Sequence, residues 1–368
     1  MRDSRSISLG ASAALLVSLL PALACGASAP PDPAQDPLAA EIARAKTLLE
    51  SKPDNQVWAQ VRQPSMTALT RADEDLRAGR RWLALQRLTN VQGNLASGSY
   101  LSEHLAPKPD MAAFEAEWKR MGGALHAELG TPSPSAFDGQ PAAARALGEV
   151  AVPQIRGYYD ASLDYGHATM PEAGIYYLGS AEEERAVADY IRKLSGPKPK
   201  GMAPRLRSIR PELDALQAEM LSVYKPPLSI DRHGEFIVAS STLKEAFELD
   251  AAGLRYGALL RYLEAAQQFT PLRAEQPPAP DAATLDKKLS ELGSRLSMGG
   301  VDHSLGQLFL ETAQSEAATA SPGSASTTAA RIVNDVLPRY FAALEPPRPE
   351  APKPEAQVAV TLVRWPYT

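Results

Sequence analysis

Proline cuts this chain into segments. Thirty-two of the 368 residues are Pro, and they cluster at Pro30-Pro31-Asp32-Pro33, Pro132-Ser133-Pro134, Pro197-Lys198-Pro199, Pro226-Pro227, Pro277-Pro278-Ala279-Pro280 and Pro346-Pro347-Arg348-Pro349. A proline has no N–H to donate, and its ring clashes with the carbonyl four residues back. A helix therefore cannot run through such a cluster, and a central strand cannot contain one. Between the clusters, apolar residues recur at helical spacing.

Asp36 as N-cap and Pro37 at the first helical position open a helix carrying Leu38, Ile42, Ala45 and Leu49. Val57, Val61, Leu69, Ala72 and Leu76 predict a second helix, broken at Pro64. Gly79 separates it from a third, with Trp82, Leu85, Leu88 and Leu95. Met111, Phe114, Trp118, Met121, Leu125 and Leu129 form the next stripe, closed by Gly130. Residues 143–168 and 171–194 read as a helical hairpin whose second helix is opened by a capping box, Thr169 with Glu172. Leu206, Ile209, Leu213, Leu216 and Met220 mark another helix. Residues 243–269 are apolar on more than one face and predict a long central helix. Asp281 caps a stripe of Leu285, Leu289, Leu292 and Leu296, and helices near 302–318 and 327–344 follow. Ala72 to Gly79 with Trp82, Ala84 and Leu88 resembles the turn of a tetratricopeptide hairpin, but it occurs once and without a 34-residue period.

Strands alternating with helices are absent, so an α/β fold is excluded. The fold class expected is all-α, a helical bundle or stacked helical hairpins, with at most a short β element near the C-terminus. That element is residues 357–365, where both faces are apolar and β-prone. A lone strand is unstable, so it needs a partner, either Glu235–Ala239 or the sheet of another protein. The units expected are a leader (1–24), a Pro-rich tether (25–37), an N-terminal helical unit (38–130), a central helical unit (141–270), C-terminal helices (281–345) and a Pro-rich tail ending in a strand (346–368).

The N-terminus carries Arg2 and Arg5, then an apolar run from Ile7 to Leu20, then Leu20-Pro21-Ala22-Leu23-Ala24-Cys25-Gly26. Basic end, apolar middle and small-residue cleavage region are the order of a secretory signal. Cys25 is the only cysteine, which excludes a disulfide framework, a Cys-rich zinc site and an iron–sulfur cluster held by this chain alone. Its place after Ala24 resembles the signal of bacterial lipoproteins. That resemblance implies that Cys25 is lipidated and becomes the first residue of the mature chain. Gly26, in place of the Asp that tends to hold such proteins in the inner membrane, implies an outer-membrane anchor. The alternative is ordinary cleavage after Ala24, leaving a free thiol.

Three constellations are candidates for chemistry. Ser241-Thr242-Leu243-Lys244, after Phe236, resembles the S-x-x-K element of penicillin-binding proteins and serine β-lactamases. It implies Ser241 as nucleophile and Lys244 as its base. The S-x-N and K-[ST]-G elements of that family are missing, and a capping box of Thr242 with Glu245 explains the same residues. Asp160, Asp164 and His167 lie within about 60° on one helix face, opposite Ile155, Tyr159, Ser162 and Gly166. That face is expected to be solvated, with Asp164 and His167 as a local pair, and no metal or other cofactor is expected. Tyrosine is the third: of twelve, six fall between 158 and 190. A hairpin here brings Tyr158, Tyr159 and Tyr165 to face Tyr176 and Tyr177. Each ring is apolar with a hydroxyl that needs a partner, so Tyr159, Tyr165, Tyr176 and Tyr177 are the candidate ligand-binding residues, for a peptide, glycan or small aromatic molecule; the same rings can equally fill the core of the bundle.

The formal net charge is −5, spread along the chain, which argues against a nucleic-acid partner. The expected function is a non-enzymatic, lipid-anchored protein of the bacterial cell envelope. It would be exported to the outer membrane, facing the periplasm or the cell surface, and act as a helical binding or scaffold module for a protein, peptide or glycan. The alternative is an envelope enzyme whose active site is assembled from distant helices.

Overall fold

The computed structural model describes residues 36–168, 170–194, 201–204, 206–225, 230–273, 281–320 and 326–344. The leader, Cys25, the tether up to residue 35 and the expected strand at 357–365 lie outside the described residues; Asp36 and Pro37, the end of the expected tether, belong to the start of α1. Among those described, the elements are α-helices with short 3-10 and π turns, and the protein is an all-α helical bundle. The one β feature is an isolated parallel bridge between Met202 and Val301.

The helices are α1 (Pro37–Glu50), α2 (Gln56–Arg77), α3 (Arg81–His104), α4 (Met111–Ala124), α5 (Ala142–Ala168), α6 (Pro171–Arg192), α7 (Arg210–Val223), α8 (His233–Ala251), α9 (Arg255–Phe269), α10 (Ala282–Leu296) and α11 (Ser304–Ala318). α12 (Thr327–Arg331) continues through a π turn (Ile332–Val336) into α13 (Leu337–Leu344). Their apolar faces bury two cores. One gathers α1 to α6 around Leu49, Trp58, Leu69, Leu88, Phe114 and Ile155. The other gathers α7 to α13 around Leu213, Leu263, Phe269 and Val336, with Leu83 of α3 and the first turns of α5. The hairpin of α5 and α6, grouped by sequence with the segments up to 270, thus shares its core with α1–α4. From the start of α5, Ala142 and Ala146 enter the second core, and Leu147 and Val150 pack against it.

Pro64 does not break α2, which runs through it. The ring lies on the exposed side, where water can bond the Gln60 carbonyl that Pro64 cannot serve. The long helix expected over 243–269 is two helices, α8 and α9. α8 starts earlier, at His233, and ends in a Schellman turn, with Gly253 at φ +78° and the Leu254 amide donating to the Leu249 carbonyl at 2.9 Å. Glu235–Ala239, the expected strand partner, is therefore helical. Thr242 is mid-helix, where its hydroxyl donates to the Val238 carbonyl at 3.1 Å and caps nothing. The N-cap of α6 is Met170, with no side-chain cap bond; Thr169 lies outside the described residues.

Two kinds of helix start are present. Asp36, Asn55, Asp110, Asp281 and Ser326 cap α1, α2, α4, α10 and α12 locally. Four other starts are bonded by carboxyls remote in sequence. Glu311 accepts from the Leu83 amide of α3 at 2.8 Å, and Asp302 from the Ala142 amide of α5 at 2.6 Å. Asp250 accepts from the Ile209 amide at the start of α7, 3.1 Å away. Glu149 accepts from the Tyr256 and Gly257 amides of α9 at 2.8 and 2.9 Å. Each satisfies donors that helix geometry leaves orphaned.

Candidate functional site

The structure separates the four candidate tyrosines into three places. Tyr159 is 7% exposed. It stacks on Trp118 of α4 at 5.0 Å and donates to the Trp118 carbonyl at 3.2 Å, so it belongs to the first core. Tyr165 and Tyr177 stack on each other at 4.4 Å across the α5–α6 hairpin, with Tyr158 at 6.3 Å from Tyr177. The expected facing of the two sets is thus made by Tyr158, Tyr165 and Tyr177 alone, with Tyr165 still 47% exposed. Tyr176 points the other way and is 49% exposed. It borders a cavity of about 420 Å³ between α2, α3 and α6, lined also by Gln56, Val57, Gln60, Leu101 and Ser102.

A larger cleft, about 570 Å³, opens between α3, α4 and α6. Glu117, mostly buried, is its centre. It accepts from the Tyr100 hydroxyl at 2.9 Å and from two nitrogens of Arg120 at 2.6 and 2.7 Å, while His104 Nε2 lies 3.5 Å away. Burial works against the Glu117 charge, but these donors outweigh it and hold the carboxyl below its usual range. The Tyr100 hydroxyl is pushed up by burial and then by Glu117, so it keeps its proton. On the facing wall Arg185 pairs with Glu182 and Asp189. The cleft is therefore a charged surface whose central groups satisfy one another. None of its residues was singled out by sequence. The available signal was the alignment of Tyr100 and His104 four apart on α3, which becomes meaningful only when α4 supplies Glu117.

The acidic face of α5 is solvated, as expected, while Ile155, Tyr159, Ser162 and Gly166 are buried. Its pairing differs: Asp160 faces Arg156 at 3.4 Å, and His167 faces Glu115 of α4 at 3.4 Å in place of Asp164. Among the described residues no group of three or more His, Cys, Asp or Glu is placed to hold a metal ion. Ser241 and Lys244 sit on the exposed face of α8, where Lys244 lies 3.7 Å from Glu248. The sheet that the S-x-x-K resemblance implies has no counterpart in an all-α bundle.

Comparison of the chain with protein-family models, with curated proteins and with solved structures finds no match. No described helix is long and apolar enough to cross a membrane.

Proposed function

We propose that this is a lipid-anchored protein of the bacterial outer membrane that serves as a helical binding or scaffold module. Its membrane partner is the bilayer itself, held through lipid on Cys25, and the Pro-rich residues 29–33 space the bundle from it. The observation that carries the binding role is the exposed Tyr176 ring beside an open cleft with unpaired carboxamides. The charged groups at the centre of the larger cleft, by contrast, are already paired. A surface of fixed polar groups and an apolar ring suits recognition.

Growth on labelled palmitate tests the anchor. Wild-type protein should take up the label and fractionate with membranes, and Cys25→Ala should abolish labelling and release the chain. Label that survives the substitution defeats the reading.

A further inference from the structure

We propose that the cleft between α2, α3 and α6 binds a neutral oligosaccharide, with Tyr176 as its platform. The inference rests on the binding-module reading and gives its ligand a chemical class. Three side chains of the cleft, Gln56, Gln60 and Ser102, are neutral and two-sided. Gln56 and Gln60 line it and make no hydrogen bond to the rest of the described chain; each carboxamide offers two donors and an acceptor. Ser102, which accepts from Asn55 Nδ2 at 2.8 Å, keeps its own O–H to donate. A sugar hydroxyl both donates and accepts, so it is matched by groups that do both. A carboxylate or an ammonium is matched by an opposite charge.

At the rim Lys108 and Glu172 pair at 2.6 Å through Glu172 Oε1, and Glu172 Oε2 is left buried without a hydrogen-bond partner, an acceptor for a sugar hydroxyl. The helical wall of the cleft offers no strand edge for a peptide backbone to extend. The apolar component has the right form as well. The Tyr176 ring and Met170 are about half exposed, above the apolar side chains of Val57, Leu101 and Leu105. The C–H face of a pyranose is apolar and flat enough to cover such a ring while its equatorial hydroxyls reach the carboxamides. A volume of about 420 Å³ falls within the range of small-molecule sites, and the cleft is open to solvent, so a longer chain can pass through.

Titration calorimetry on the full chain in detergent tests this, with chitotetraose and cellotetraose as probes and acetyl-tetra-alanine amide as the peptide control. At least one sugar should bind saturably. Tyr176→Ala should weaken it about tenfold or more, equivalent to about 1.4 kcal/mol, and Gln60→Ala should weaken it too. Tyr176→Phe should retain it, because the ring rather than the hydroxyl is the platform. Both positions are exposed, so an unchanged melting temperature will show that the variants fold. Failure of both sugars to bind, or sugar binding untouched by Tyr176→Ala, overturns the proposal. Saturable binding of the peptide alone, lost in Tyr176→Ala, overturns the sugar class and leaves the binding module standing. Failure of the anchor is read separately, by palmitate labelling in cells.

Discussion

At the start of α3 the Glu311 carboxyl meets the Leu83 amide at 2.8 Å, inside the contact between α11 and α3. Burial raises its pKa to about 8, Asp75 adds to the rise, and the Leu83 and Trp82 amides and Arg80 oppose it. Glu184 on α6 is raised to about 7 by burial and by Glu183. An unfolded Glu titrates near about 4.3. Between that value and the folded one, the native state holds a proton that the unfolded chain has released, so the stability these two groups contribute is greatest at low pH and falls as pH rises. For one such group the slope approaches about 1.4 kcal/mol per pH unit. Glu311→Gln keeps an acceptor for the Leu83 amide and removes the titration. Its melting temperature, followed from pH 5 to pH 8, should therefore fall less than that of the wild type; an identical slope would mean that Glu311 is ionised in the fold. Nothing local marks Glu311, which reads as a polar residue on an amphipathic helix. Its role comes from a residue 228 positions away.

Helix pairs in the first core approach closely where glycine removes a side chain. Phe114 of α4 fills a space bounded by Gly166 of α5 and Gly174 of α6, and a Cβ at either glycine would overlap the ring. Gly174→Ala should therefore destabilise by about 1–3 kcal/mol through overpacking. Gly157, also on α5, has nothing within 4 Å of a built Cβ. There Ala should stabilise by about 0.5–1 kcal/mol through helix propensity alone. Denaturant midpoints at constant m-value measure both, and equal effects of the two substitutions would refute the packing argument. At this scale much was legible. Asp36 and Asp281 cap where expected, and Leu38, Ile42, Ala45 and Leu49 are the buried face of α1. The break between α8 and α9 was also written locally, in Gly253, but apolar residues on more than one face between Leu243 and Phe269 hid it. Residues buried on all sides lose the periodicity that marks a helix end.

The two cores share α5, and the contact of α3 with α11 closes a second connection through Trp82, which donates to Gln307 at 2.8 Å, and through Glu311. Asp302 and Ser304 bond the first turn of α5 from the second core, and Glu149 on α5 bonds the start of α9. Neither core can open without leaving buried donors of the other unpaired, a cost of about 1–3 kcal/mol each. The described bundle should therefore unfold in one transition. Tryptophan fluorescence of the unaltered chain, whose Trp58 and Trp118 pack in the first core, should coincide with the helical circular dichroism signal. Two separated midpoints would show that the cores are independent.

Sequence by itself determined the helical class, the buried face of most helices and the locally capped starts. These depend on residues no more than a few positions apart, and proline chemistry limits how far each helix can run. Tertiary structure decided which carboxyl serves which helix start, since those partners are 41 to 228 residues apart. It also decided the fate of the tyrosines. The four candidates lie on one hairpin, but α4 takes Tyr159 into the core, Tyr165 stacks on Tyr177 while staying about half exposed, and Tyr176 faces a cleft that α2 and α3 complete. Periodicity specifies which way a side chain points along its own helix; what it meets there is set by helices that other parts of the chain bring alongside.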